Sequence, residues 1–243
     1  RADNINWTKK WDNVLDQYNP PFWNWFPGAE LNTCYNCLDI HIENGNGDKN
    51  ALIYDSPVTN SKKSYTYNEL LDKTTKIAGA LKKYGVNKGD RVLIYMPMIP
   101  EAVASMLACA RIGAVHVVVF GGFAPNELAT RINDSKPKII IAGSSGIEPG
   151  KIIEYKPMLD KAIELAKHKV NICFIYQRPL SEAKLLKGRD FNLQDLIDSS
   201  NSVEAVAVKS TDPLYILYTS GTTGDPKGMV RENGGHAVAL KAS

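Results

Sequence analysis

Arg91-Val92-Leu93-Ile94-Tyr95-Met96, then Pro100 through Gly113, then Val115-His116-Val117-Val118-Val119-Phe120, is the stretch that decides the fold. Its two outer pieces are short, apolar and rich in β-branched or aromatic residues, the composition of strands buried on both faces. The piece between them opens with proline, tolerated in a first helical turn, and stops at glycine, which takes the left-handed cap. Strand, helix and strand in so short a span imply a right-handed crossover and two parallel strands.

The same alternation continues outward. Downstream, helices are expected at Pro125–Ser135 and 156–168, with strands at 139–142, 171–176 and 214–218. Upstream, 51–54 reads as a strand. Thr66 and Glu69 form a capping box, Leu70, Ile77, Ala78 and Leu81 keep helical period, and Gly85 ends that helix. The expected fold class is α/β, a parallel sheet flanked by helices on both faces. Ligands of such sheets gather beyond the strand C-terminal ends, here the loops after Met96, Phe120, Ala142 and Tyr218.

Residues 1–50 read as a helical, aromatic cover over the remainder, 51–243. Trp7, Trp11, Val14 and Tyr18 recur at helical spacing and predict an amphipathic helix ended by Pro20-Pro21. Phe22, Trp23, Trp25 and Phe26 read as an apolar knot, with an aromatic ligand box as the alternative. A second helix is expected over 33–41 and a turn over 44–48. Residues 179–212 read as a connecting stretch with one short helix over 193–197. The chain begins at Arg1 and ends at Ser243 inside a helical pattern, so both ends read as cut.

Composition excludes several classes. The chain has 243 residues, 29 basic against 26 acidic, for a net charge of +3. Its basic pairs, Lys9-Lys10, Lys62-Lys63 and Lys82-Lys83, are scattered, which argues against a nucleic-acid surface. No apolar run reaches the roughly 18 residues of a membrane span. Four cysteines are too few for a disulfide scaffold and fit a reducing compartment. Cys34 and Cys37 form a CxxC with no second ligand pair, so helix-face packing is expected rather than zinc, and no metal site is expected. His116 reads as a satisfied core histidine, and His236, after Gly234-Gly235, is a weak candidate for which lining the cleft is the minority reading.

The chemistry concentrates in Tyr218-Thr219-Ser220-Gly221-Thr222-Thr223-Gly224-Asp225-Pro226-Lys227-Gly228. Gly221, Gly224 and Gly228 admit close approach of backbone N–H groups, which in successive turns make an anion-binding concavity. Thr219, Ser220, Thr222 and Thr223 add hydroxyl donors, and Lys227 adds a mobile positive charge. A donor that carries charge makes hydrogen bonds about twice as strong to phosphate oxygens. The segment is not a Walker A loop, because Pro226 stands where that motif needs glycine, and it lacks G-x-G-x-x-G. The competing reading is a Thr/Gly-rich surface hairpin; the ordered string directly after a buried strand weighs against it.

That string resembles the signature of the adenylate-forming, AMP-binding superfamily: acyl-CoA synthetases, peptide synthetase adenylation domains and luciferases. Residues 95–101, 106–114 and 120–123 resemble the short-chain acyl-CoA synthetases that activate acetate and propionate. Residues 54–59 and 146–151 look most like their mitochondrial, propionate-preferring branch. The resemblance implies the N-terminal part of the large domain of an ATP-dependent ligase. It also implies residues 219–228 around the β- and γ-phosphates of Mg·ATP, carboxylate attack on the α-phosphorus, and transfer of the acyl group to the CoA thiol. It implies short-chain carboxylate, ATP, Mg²⁺ and CoA as small-molecule partners, and the mitochondrial matrix, or alternatively the cytoplasm, as location. In the acetate enzymes a stretch like Glu148-Pro149-Gly150-Lys151 carries two basic residues toward CoA. Only Lys151 is kept here, and an exposed turn is the competing reading. By resemblance the acyl pocket and the remaining catalytic groups lie beyond Ser243. No catalytic residue is therefore assignable here, and these residues alone are expected not to turn over. A non-catalytic nucleotide-binding piece is the alternative; a Rossmann-like oxidoreductase lacks its fingerprint.

Overall fold

The computed structural model describes residues 2–148, 150–219 and 226–242. Pro149 and Ser220, Gly221, Thr222, Thr223, Gly224 and Asp225 therefore lie outside the described residues. In chain order, β1 (Trp7–Lys9) leads to β2 (Leu15–Asn19), β3 (Phe22–Trp25) and β4 (Glu30–Leu31). Then come α1 (Thr33–Cys37), α2 (Asp39–His41), β5 (Asn50–Ser56), β6 (Ser61–Thr66) and α3 (Tyr67–Lys83). The central run is β7 (Arg91–Met96), α4 (Pro100–Arg111), β8 (Val115–Phe120), α5 (Pro125–Ser135) and β9 (Ile139–Gly143). It is followed by β10 (Ser145–Glu148), β11 (Lys151–Glu154), α6 (Tyr155–Leu165) and β12 (Cys173–Tyr176). The last elements are β13 (Asp190–Asn192), α7 (Leu193–Ser199), β14 (Val208–Lys209), β15 (Pro213–Thr219), β16 (Lys227–Glu232) and α8 (Asn233–Ala242).

The main sheet runs in the order β13-β12-β9-β7-β8-β15-β16. Every pairing is parallel except that of β15 with β16. Strand alternation makes two cores. Val92, Ile94 and Met96 of β7 pack with α3, α4 and α7, while Leu93 and Tyr95 pack with α5 and α6. Each fully buried aliphatic side chain contributes about 1.5–3 kcal/mol. The expected α/β architecture is the observed one. β7, β8 and α5 have the bounds read from the sequence. Both hydrogen bonds of the Thr66–Glu69 capping box are present, and Gly85 has φ 83°.

The cover differs from its reading. Residues 7–18 form no helix: β1 and β2 are extended, and β2 pairs antiparallel with β3 around Pro20-Pro21. Tryptophan, valine and tyrosine suit a pleated surface as well as a helix face, and the tertiary contacts decide. The rings of Trp7 and Trp11 lie 5.4 Å from that of Phe26, which is buried. Phe22, Trp23 and Trp25 stay exposed on the hairpin, so the apolar knot contracts to Trp7, Trp11 and Phe26. The helix expected over 33–41 is present but broken at Leu38, and a π-turn (Ile42–Asn46) occupies the start of the expected turn. The stretch 179–212 holds, besides α7, two short strands, β13 and β14, too brief to show a period.

Residues 1–50 are fastened to the sheet domain by polar bonds. β4 pairs with both β1 and β14. The buried Asn32 amide donates to the carbonyls of Ala110, Arg111 and Val206 at 3.0, 3.0 and 2.7 Å, and its oxygen caps α1 at Tyr35 N. Beside it, buried Arg111 grips Asp39 through both terminal guanidinium nitrogens at 2.9 and 3.0 Å. Asn32→Ala removes the side-chain donor from all three carbonyls, of which Arg111 O keeps Val206 N and Ala110 O keeps Gly113 N, and it uncaps α1. The expected cost is about 3 kcal/mol in urea unfolding; a loss below about 1 kcal/mol would show that the tether does not hold the cover.

Candidate functional site

Strands β7, β8, β9, β12 and β15 run parallel, so their C-terminal ends open on one side of the sheet. The turn after β8 is packed tightly there. A methyl group on Gly121 would come within 2.5 Å of the Tyr155 ring and 2.8 Å of the Met96 backbone. Gly122 has φ 106°, which side chains rarely adopt. The buried Tyr95 hydroxyl donates to Phe123 O at 3.0 Å and accepts from Gly122 N at 3.3 Å. Burial pushes this hydroxyl up to about 12, so it remains a donor at neutral pH. The glycines of 120–123 thus serve close packing and make a rigid floor beside the strand ends.

From that floor rise the two arms of the candidate phosphate loop. Thr219 ends β15 and Lys227 begins β16, and the two are direct cross-strand partners. Both are exposed, and among the described residues Lys227 has no ion pair. Gly228 faces Tyr218 across the ladder. Ser220, Gly221, Thr222, Thr223 and Gly224 lie outside the described residues. The hairpin weighed against the phosphate reading is present as β15–β16, and its register sets Thr219 and Lys227 directly across from each other.

The candidate CoA segment is also a hairpin tip. Glu148 and Lys151 are cross-strand partners of β10 and β11, both exposed, and Gly150 has φ 76°. Pro149, between them, lies outside the described residues. The acid next to the only base reduces what that base can offer an anion.

The other candidates separate. Cys34 is buried against Arg111 and, mainly by burial, its thiol is pushed up to about 12; burial raises Cys37 also. These are packing cysteines, and all four in the chain are free. Among the described residues no group of three or more His, Cys, Asp or Glu is placed to hold a metal. His116 departs from its reading as a satisfied histidine, since its Nδ1 is buried without a hydrogen-bond partner among the described residues. Its ring stacks on Tyr215 at 5.5 Å, and Tyr215 meets His236 edge-on at 5.0 Å. Burial, with some repulsion from His236, pushes His116 down to about 3. His236 lines a groove of about 810 Å³ between the β2–β3 hairpin, β16 and α8, with Trp25 and Val230. That groove includes the aromatic residues considered as a ligand box, but not Thr219 or Lys227. The sequence reading missed two side chains near the loop, Arg131 and Asp134. Their spacing on one face of α5 was the available signal.

Comparison with known proteins adds the following. A model described as AMP-binding enzyme matches residues 41–242, and one described as acetyl-coenzyme A synthetase N-terminus matches 1–37. The chain is 52% identical over 240 residues to the human mitochondrial acyl-CoA synthetase short-chain family member 3, covering 98% of this chain and 35% of that protein. It is 46% identical over 252 residues to the mitochondrial short-chain family member B of Dictyostelium discoideum, covering 98% and 36%. To the propionate–CoA ligase of Escherichia coli K12 it is 42% identical over 245 residues, covering 100% and 39%. The chain thus spans about a third of the length of the curated relatives it matches. No helix among the described residues is long and apolar enough to cross a membrane.

The buried histidine generates a pH test. Its folded value lies below its ordinary 6.5, so its contribution is complete above pH 6.5 and is lost as pH falls toward 3. The half-buried His236 is shifted the same way and adds to the slope. His116→Gln is expected to lose less Tm than the unsubstituted protein between pH 7.5 and pH 5, read by thermal unfolding. Equal losses would remove His116 as the cause.

Proposed function

This chain belongs to the AMP-binding enzyme family, and from that premise we propose that it supplies the phosphate-holding part of an ATP-dependent acid–thiol ligase. The ligase activates a short-chain carboxylate, propionate or acetate, through an acyl-adenylate to the acyl-CoA. The observation that carries this reading is the register that sets Thr219 opposite Lys227 at the end of β15. The names of the relatives support the reaction class, and 219–228 supports the position.

In this reading Thr219, Ser220, Gly221, Thr222, Thr223, Gly224 and Gly228 surround the β- and γ-phosphates with hydroxyl and amide hydrogens. Lys227 places its charge where negative charge builds as pyrophosphate departs. The carboxylate oxygen bonds to the α-phosphorus as the bond to the pyrophosphate oxygen breaks. The CoA thiol then displaces AMP from the acyl carbon. Mg²⁺ enters with the triphosphate as part of the substrate. The protein contributes positioning and charge stabilisation rather than a nucleophile of its own. The hairpin tip at Glu148, Pro149, Gly150 and Lys151 is the part facing CoA, with Lys151 its one cation. Residues 1–50 are the cover and 51–243 part of the ATP-binding domain. The mitochondrial relatives favour the matrix over the cytoplasm as location.

Two outcomes test this. In the full-length protein, Lys227→Ala is expected to slow carboxylate-dependent ATP–pyrophosphate exchange about 100-fold, with much smaller change in carboxylate affinity. Exchange at the unsubstituted rate would sink the assignment. Residues 1–243 alone are expected to show no such exchange with acetate, propionate or butyrate; measurable exchange would mean that they hold a complete adenylating site.

A further inference from the structure

The loop proposed above must be held still to bind phosphate. Glycine loses more backbone freedom on ordering than any other residue, and a glycine-rich sequence binds better when the residues flanking it are already set. We propose that α5 carries a latch, Asp134 with Arg131, that closes on Tyr218 and sets both arms of the loop for ATP. This rests on the phosphate reading of 219–228 and adds to it a positioning residue, Tyr218, that does not touch substrate.

The contacts are specific. Tyr218 directly precedes Thr219, and its hydroxyl donates to Asp134 Oδ2 at 2.5 Å. Burial and this carboxylate push the hydroxyl well above its ordinary value, so it stays protonated and donating at any working pH. The Arg131 guanidinium sits 5.3 Å from the centre of the Tyr218 ring and 4.6 Å from that of Phe123. Arg131 is itself buried and anchored to the carbonyl and carboxylate of Glu127 at 2.7 and 2.9 Å. Phe123 belongs to the turn that Tyr95 holds, so the ends of β7, β8 and β15 are joined through one cluster.

The second arm meets the same carboxylate. A methyl group on Gly228 would lie 3.3 Å from Asp134 Oδ2, 3.3 Å from the Tyr218 ring and 3.1 Å from Ile216. Glycine at 228 therefore leaves space for the latch as well as for phosphate. Asp134 also stands in the last turn of α5, where the helix dipole disfavours an acid. Its hydrogen bond to Tyr218 offsets that placement.

The test uses the full-length protein and separates the latch from the loop. Tyr218→Phe is expected to raise KM for Mg·ATP about 3- to 10-fold while leaving KM for propionate and for CoA within about twofold and Tm within about 2 °C. Asp134→Ala should do the same, Asp134→Asn, which keeps an acceptor, should restore most of the loss, and the double variant should be no worse than either single one. An unchanged ATP KM in Tyr218→Phe, with Lys227→Ala still slow, overturns the latch and leaves the phosphate loop standing. Equal rises for all three substrates with a lowered Tm reduce Tyr218 to packing and overturn it as well. If Lys227→Ala is also silent, the phosphate reading itself has failed.

Discussion

The double pairing of β15 constrains everything at the candidate site. On one edge the strand runs parallel to β8, and on the other it runs antiparallel to β16. Only Leu214 of β15 is fully buried; Leu217 and Thr219 are exposed, and the C-terminal end of the strand is where a sheet of this kind presents side chains to a ligand. Antiparallel pairing then returns the chain to the same place. Thr219 and Lys227 come to lie across from each other, far closer than their separation along an extended chain. Thr219, Lys227 and Gly228 come together for that reason.

The same end of the sheet is stiffened from below. Tyr95 hydrogen-bonds the turn after β8, Tyr155 packs on Gly121 and Gly146, and Phe123 passes the contact to Arg131 and Tyr218. Tyr95, Tyr155 and Tyr218 each carry one polar atom on an aromatic ring, which suits a boundary between core and solvent. At the C-terminal end of α4, Asn32 and Arg111 bind the first fifty residues to the sheet domain through backbone carbonyls and Asp39. The cover is thus held by directional bonds, which set its register more strictly than apolar contact alone.

Charge is distributed unevenly between site and core. The buried thiols of Cys34, Cys109 and Cys173 are raised and His116 is lowered, so each is held in its neutral form by loss of solvent. The cations left toward solvent at the strand ends include Lys227, which has no carboxylate partner among the described residues, and Lys151, which faces Glu148. A chain with nearly balanced charge thereby keeps a free cation where a triphosphate is proposed to sit.

The sequence by itself determined the parallel sheet, the bounds of its central strands and α5, the Thr66–Glu69 cap and the string of residue types proposed to bind phosphate. Each of these depends on local rules of period, capping and turn chemistry, which act over a few residues. Tertiary structure alone decided that residues 7–18 are extended, because Phe26 rather than helical period chooses the partners of Trp7 and Trp11. It alone turned Lys227 back against Thr219, left His116 Nδ1 without a partner among the described residues and brought Asp134 to Tyr218, 84 positions away. Contacts between residues so distant along the chain exist only after the sheet has assembled, and no local pattern encodes them.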